Sequence, residues 1–341
     1  MPRSTRLPHS TRPPSAPAER PLSPDGGPAS SPGTATAGGP AARSGLATGS
    51  SPASETPFLS RRERFGTVSS TNDIVAGWLA AGTPEVCLAV ADEQSAGRGR
   101  DGRTWQAPAG RALLLSLGFR PTWLAPRHAW RLAAIVSLAM ADAAEEVAGL
   151  RDRTIRLKWP NDLVIEADRA SGSGAAGTAG AAAVAGAETG RPVRKVAGVL
   201  GETRGLGSAD PQVVVGIGVN ADWPADEFPV ELAADMTSLR EASGGRPIDR
   251  TLLLEAFLWR LEPRTLALRA GRFDAGDWLD RQLTSRRLVR LTLSDGSSEV
   301  VRAVGVDPDS GALLVEDPRA PTGERAVLSG EIHHLRLAGA V

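Results

Sequence analysis

Cysteine occurs once in these 341 residues, at Cys87, which excludes an internal disulfide framework and a cysteine-built metal cluster. Histidine is almost as scarce: the four present, two of them adjacent at His333 and His334, make a histidine metal site a poor expectation. An excess of one charge is lacking too. The 39 basic and 39 acidic residues cancel, so no global field draws the chain to nucleic acid or to a membrane surface. No apolar run approaches the length of a membrane span. Arginines stand near the first residue but no apolar stretch follows them, so no export signal is expected and a cytoplasmic protein is. Residues 1–57 lack Trp, Phe and Ile and hold 12 of the 26 prolines. A segment so poor in apolar area cannot offset the entropy of ordering, and it reads as a disordered Pro/Ala/Ser/Gly-rich tail. All 8 Trp and all 6 Phe lie from Phe58 onward, where the fold is expected to begin.

What the chain does have is concentrated between Gln94 and Trp105. Arg98, Arg100 and Arg103 alternate with Gly97, Gly99 and Gly102, directly after the short apolar run Val86–Ala91. Glycines let backbone approach a ligand closely, and guanidinium groups hold phosphate or carboxylate oxygens in pairs at any working pH. A strand opening into such a loop suits a small anionic ligand. An RNA-binding Arg-Gly tract is the rival reading, but those tracts repeat within disordered sequence. This copy is single and sits between two apolar strands.

From Phe58 strands and helices alternate. Ser69 or Ser70 caps an expected helix that runs to Ala81 and stops at Gly82. Strands are expected at 86–91, 111–119, 156–160, 163–165, 195–202 and 212–220, the last two as adjacent core strands. Trp130 to Val147 has the clearest helical apolar face, and 251–270 and 273–283 follow as further helices. Residues 166–192 are almost pure Ala/Gly/Ser/Thr and read as a flexible insertion in a hairpin. After Arg286 short strands broken by Asp295-Gly296 and Gly311 suggest a small β-barrel.

Four more features join the arginine-glycine loop. Ser70-Thr71-Asn72 places two hydroxyls and an amide before a helix, which alone is an ordinary cap. Lys158 to Asp162 sets a cation, a Trp, a proline-fixed turn and an amide-carboxylate pair together. Lys195 opens a strand that continues through Gly198 to Glu202; alone it reads as a solvated edge lysine. Gly216-Ile-Gly-Val-Asn220 puts two glycines inside a strand, a mark of close approach by a ligand or another backbone.

In this order the five segments resemble the biotin protein ligases, whose pattern is Ser-Thr-Asn, a Gln, Gly-Arg-Gly-Arg-x-Gly-Arg-x-Trp, Lys-Trp-Pro-Asn-Asp, Lys-x-Ala-Gly-(Ile/Val)-Leu-x-Glu and Gly-Ile-Gly-x-Asn. The resemblance spans about residues 60 to 338. It implies an α+β fold: a catalytic domain over 58–284, a mixed sheet with helices on one side, and an SH3-like β-barrel over 285–341. It implies an ATP-dependent ligase that makes biotinyl-5'-AMP and passes biotin to a lysine of a biotin carboxyl carrier domain of an acyl-CoA carboxylase, with Mg²⁺ on the ATP phosphates. Lys195 would bridge the biotin carboxylate and the α-phosphate, Arg100 would belong to the closing loop, and Asp162 would take the proton of the acceptor lysine. Biotin would meet Ser70, Thr71, Asn72, Gln94, Arg98, Gly99, Arg100, Trp105, Lys195 and Gly198, with Asn72 organising the turn and Gly198 leaving room for the ring system. ATP would meet Arg98, Arg100, Arg103, Lys158, Asn161 and Asn220. A monomer or weak homodimer without nucleic-acid or membrane partners is expected.

Two readings compete. Lipoate and octanoate ligases share the fold but carry an Arg-Arg-x-Ser-Gly-Gly-Gly type of loop with a nearby histidine, absent here. A biotin-sensing transcriptional repressor needs a DNA-binding domain, and residues 1–57 have no apolar periodicity to build one.

Overall fold

The computed structural model describes residues 58–166, 192–293, 295–328 and 331–334. The tail expected at 1–57 lies outside them, as does the insertion expected at 166–192 except for its two end residues. Two sheets form within one compact unit. The first has seven strands: β1 (Arg61–Val68), β2 (Cys87–Gln94), β3 (Ala112–Phe119), β4 (Ile155–Lys158), β5 (Asp162–Glu166), β6 (Val193–Arg204) and β7 (Gln212–Asn220). Their spatial order is β1-β2-β3-β7-β6-β5-β4. Only β1 and β2 run parallel; every other neighbour pair is antiparallel, so the sheet is mixed.

Period-2 alternation decides what each face does. Along β7, Val213, Val215, Ile217 and Val219 enter the main core, which turns Val214, Gly216, Gly218 and Asn220 to the opposite face. The core face is covered by α2 (Trp130–Val147), with α4 (Arg250–Arg269) packed on α2. Helix α2 forms between the ends its apolar stripe predicts. Leu132, Ile135 and Leu138 are among its buried side chains, and truncating one such leucine to alanine costs about 2–5 kcal/mol. Helix α4 starts at Asp249, whose carboxylate accepts from Thr251 N and Leu252 N at 2.7 and 3.1 Å.

The one-sided helical cover expected from sequence thus holds for α2 and α4, with one addition. The short α1 (Thr71–Ala80) lies on the other face, where Val75 and Leu79 pack on Cys87, Ala89 and Val214. It covers only the β2-β3-β7 part, and the rest of that face, over β7, β6 and β5, stays open.

Helices α3 (Leu239–Ala242) and α5 (Ala275–Asp280) lead to the second sheet of β8 (Leu288–Thr292), β9 (Ser298–Val306), β10 (Leu313–Glu316), β11 (Glu324–Val327) and β12 (Glu331–His334). It is antiparallel in the order β11-β10-β9-β8-β12. Between the sheets Trp159 Nε1 donates to Gly311 O at 3.1 Å and Trp130 Nε1 to Asp309 O at 3.3 Å. Just before β8, Arg281 is 2 % exposed and ion-paired with Asp142 and Glu145 of α2.

Candidate functional site

The open part of the sheet is the floor of a cavity of about 500 Å³. Its lining includes every residue expected to act in catalysis or to meet biotin or ATP, brought from β2, β4, the β4–β5 turn, β5, β6, β7, the start of α1 and the arginine-glycine segment. Strand β2 runs three residues past its apolar part, and this extension delivers Gln94 to the cavity.

The arginine-glycine segment folds as a hairpin over this floor. Asp101 and Gly102 both have positive φ, 56° and 74°, as the central pair of an Asp-Gly hairpin turn requires. Gly99 N donates to Arg103 O at 2.7 Å and Trp105 N to Gly97 O at 2.9 Å, with an antiparallel bridge between Arg98 and Thr104. The hairpin therefore carries Arg98, Arg100, Arg103 and Trp105 as one body.

Trp105 rests on a flat seat. Gly198 and Gly218 are cross-strand partners on β6 and β7, and a Cβ at Gly218 would come 2.5 Å from the indole. At Gly198 it would come 3.0 Å from both Trp105 and the Lys195 side chain. The room that the sequence reading reserved at Gly198 for a bound ring system is here filled by the protein's own indole and lysine. Trp105 Nε1 is buried and has no hydrogen-bond partner, a donor in reach of a ligand.

Lysine occurs twice in the whole chain, at Lys158 and Lys195, and both line the cavity. Lys195 Nζ lies 2.6 Å from Asp162 Oδ1 and 5.3 Å from the Trp105 ring centre. The contact with Asp162 is ionic; Oδ1 has no well-directed hydrogen-bond donor. Asp162, expected as a base, is thus in the first place the anion that holds Lys195.

At the α1 end the floor is polar, and Ser70, Thr71, Asn72 and Gln94, which line it, are uncharged. Thr71 N and Oγ1 both donate to Gln94 Oε1, at 2.7 and 3.0 Å. The Ser116 hydroxyl lies 2.7 Å from Thr71 Oγ1 and 2.5 Å from Asn72 Oδ1, and Asn72 Nδ2 donates to Glu202 at 3.0 Å. Ser70 is buried, and its hydroxyl makes no capping bond. At the other end Trp223, Met236 and Leu232 supply apolar surface.

Asn161, Asn220 and Arg98, also expected against ligands, are likewise engaged within the protein. The Asn161 amide donates to Val199 O at 2.8 Å, closing the β5–β6 pairing, and Asn220 donates to Thr237 O at 3.0 Å. Arg98, expected against both biotin and ATP, gives two bonds to Asp73 at 2.9 and 2.7 Å and reaches Glu202 at 3.1 Å. This guanidinium holds the Asp73 carboxyl below the ordinary aspartate range, and the carboxylates raise the pKa of Arg98 in turn. Sequence reading missed Asp73 as a partner because it sits 25 positions from Arg98, and it missed Ser116 because a serine within an apolar strand carries no motif.

A model of the Biotin/lipoate A/B protein ligase family matches residues 65–220. A biotin--[acetyl-CoA-carboxylase] ligase of Mycobacterium tuberculosis is 31% identical over 274 residues, 79% of this chain and 87% of that one. A bifunctional ligase/repressor BirA of Bacillus spizizenii is 30% identical over 73% of this chain and 67% of its own length. Among solved structures, a biotin protein ligase from Aquifex aeolicus in complex with biotin and ATP superposes with a TM-score of 0.60 at 25% identity, covering 81% of this chain and 99% of that one.

Proposed function

Since the chain belongs to the biotin protein ligases of the biotin/lipoate A/B family, we propose that its cavity activates biotin with ATP and transfers it to a lysine of a biotin carboxyl carrier domain. The observation that carries this reading is the convergence of both lysines and the arginine hairpin on one cavity whose far end is lined by uncharged polar side chains. That lining suits a ureido ring, which needs donors and acceptors but no charge, and the cationic part suits a carboxylate meeting a triphosphate.

In the first step a biotin carboxylate oxygen attacks the α-phosphorus of ATP and pyrophosphate leaves. Two anions must meet, and Lys195 is the cation placed between them. Asp162 orients its ammonium from one side and the Trp105 ring borders it on another. Ser70, Thr71 and Gln94 hold the ureido ring. Arg100, Arg103 and Lys158 face the phosphates, and Asn161 and Asn220 fix the backbone beneath them. Mg²⁺ enters this reading as the counter-ion of ATP, held by its phosphates.

In the second step the acceptor amine attacks the acyl carbon and AMP leaves. Once the phosphate draws Lys195 away, the Asp162 carboxylate is open to the proton of the incoming amine. The hairpin keeps water from the mixed anhydride between the two steps. We assign this chemistry to residues 58–284, with 285–341 as a β-domain docked through Trp159 and Trp130. No helix among the described residues is long and apolar enough to cross a membrane.

The test is incubation with ATP, Mg²⁺ and a biotin carrier domain, with biotin in one arm and lipoate in the other, followed by intact mass. Mass gain in the biotin arm alone supports the reading. Gain with lipoate alone would reassign the substrate, and no gain in either arm would overturn ligation.

A further inference from the structure

We propose that Asp73 and Glu202 are positioning residues that form a catch, holding the arginine-glycine hairpin closed over the adenylate through Arg98. The proposal rests on the ligase reading above and adds to it what sets how long the product stays bound.

The geometry is specific. Asp73 stands in the first turn of α1, Glu202 lies on β6, and Arg98 is the first arginine of the hairpin. Nη1 and Nη2 of Arg98 meet the two Asp73 oxygens at 2.9 and 2.7 Å, a paired arrangement that fixes direction as well as distance. Nη2 also meets both Glu202 oxygens, at 3.1 and 3.3 Å. One guanidinium therefore ties the hairpin to a helix and to the sheet at once. Since the hairpin's own hydrogen bonds make it one body, fixing Arg98 also fixes Arg100, Arg103 and Trp105 over the floor.

Glu202 does not stand alone. It accepts from Asn72, which joins Ser116, Thr71 and Gln94, so the catch is anchored in the same polar network that the ligase reading gives to biotin. The chemistry sits elsewhere, at Lys195 and Asp162. Loss of the catch should thus raise the rate at which adenylate leaves and spare the rate at which it forms, the usual way in which contact loss acts on a complex.

The experiment compares wild type with Asp73→Asn, Asp73→Glu, Glu202→Gln and the Asp73→Asn/Glu202→Gln pair. Adenylate formation is followed by single-turnover pyrophosphate release without acceptor, and its escape by chase with unlabelled biotin and ATP. Asp73 is 52 % exposed, so its variants keep the fold and decide the question even if Glu202→Gln unfolds. Expected are formation rates within about twofold of wild type and escape about two- to fivefold faster for Asp73→Asn, the range of a half-exposed ion pair. The pair should reach roughly tenfold, and Asp73→Glu should restore retention. Escape unchanged in Asp73→Asn would overturn the catch. Slower escape would overturn it too, since Arg98 would then be a ligand contact that Asp73 holds back. Absence of adenylate in wild type would instead sink the ligase reading itself.

Discussion

The indole of Trp105 lies across Gly218, so close that a Cβ on this glycine would stand 2.6 Å from Nε1. The seat exists because β6 and β7 present glycines side by side at Gly198 and Gly218, leaving bare backbone where an aromatic ring can lie flat. Gly218→Ala should push the ring out of its place beside Lys195, the cation at the reacting groups. Misplacement of about an ångström near reacting groups costs up to 10²-fold, so kcat/KM for adenylate formation should fall by roughly 10- to 100-fold. Gly201→Ala is the control, since its Cβ would meet nothing within 4 Å, and it should match wild type in rate and melting temperature. Equal rates for both variants would show that the seat has no part in activity.

Lys195 should be the residue that adenylate formation can least do without. Removing one fixed charge aimed at a transition state typically costs on the order of 10²–10³ in rate, and Lys195→Ala should lose that much in pyrophosphate release. Arg100→Gly, in the hairpin, should still form adenylate but release it, seen as biotin on lysines of bystander proteins in a streptavidin blot. A wild-type rate in Lys195→Ala would remove it from the centre of the mechanism.

Arg281 should matter for stability and little for chemistry. It is buried, pairs with Asp142 and Glu145, and donates to Ile155 O at 2.9 Å. Arg281→Met leaves Glu145 buried without its cation, a loss that typically costs about 3–5 kcal/mol. For a body of this size that is on the order of 10 °C in melting temperature. A melting temperature within a degree of wild type would show that the carboxylates find other partners.

Cys87 sets an alkaline limit. Burial raises its thiol from 9.0 to about 11, so the folded form keeps the proton that the unfolded chain gives up. Its contribution to stability is whole below pH 9 and fades as pH climbs from 9 toward 11, by about 2–3 kcal/mol for two units. The chain has no tyrosine and two lysines, so few other side chains titrate in that window. Cys87→Ala should therefore lose melting temperature less steeply than wild type between pH 9 and 11. Parallel profiles would assign the alkaline loss elsewhere.

Helix α2 was legible end to end because its apolar stripe is continuous, and β7 because it is a short β-branched run in which Gly216 and Gly218 alternate with Val215, Ile217 and Val219. The motif residues that share the cavity lie at strand ends, in turns, at the start of α1 or, like Gly198, Gly216 and Gly218, inside strands where a missing side chain marks close approach. The partners of Arg98 were not legible. Asp73 and Glu202 stand 25 and 104 positions away, and only the register of a seven-stranded sheet brings them to one guanidinium. The same holds for Asn161 and Asn220: an amide in a motif looks the same whether it faces a phosphate or closes a backbone gap. The seat of Trp105 needs two glycines on different strands to be paired, a fact of register that neither segment carries alone.

Both lysines of the chain line the cavity, and every other basic side chain, histidines aside, is an arginine. An acyl phosphate acylates amines, whereas guanidinium groups stay protonated at any working pH and do not compete for it. Adenylate that slips from this protein thus meets no lysine on the surface it leaves. A leaky variant would mark its neighbours and leave its own surface outside the cavity clean, an immunity to self-labelling written into the choice of arginine over lysine.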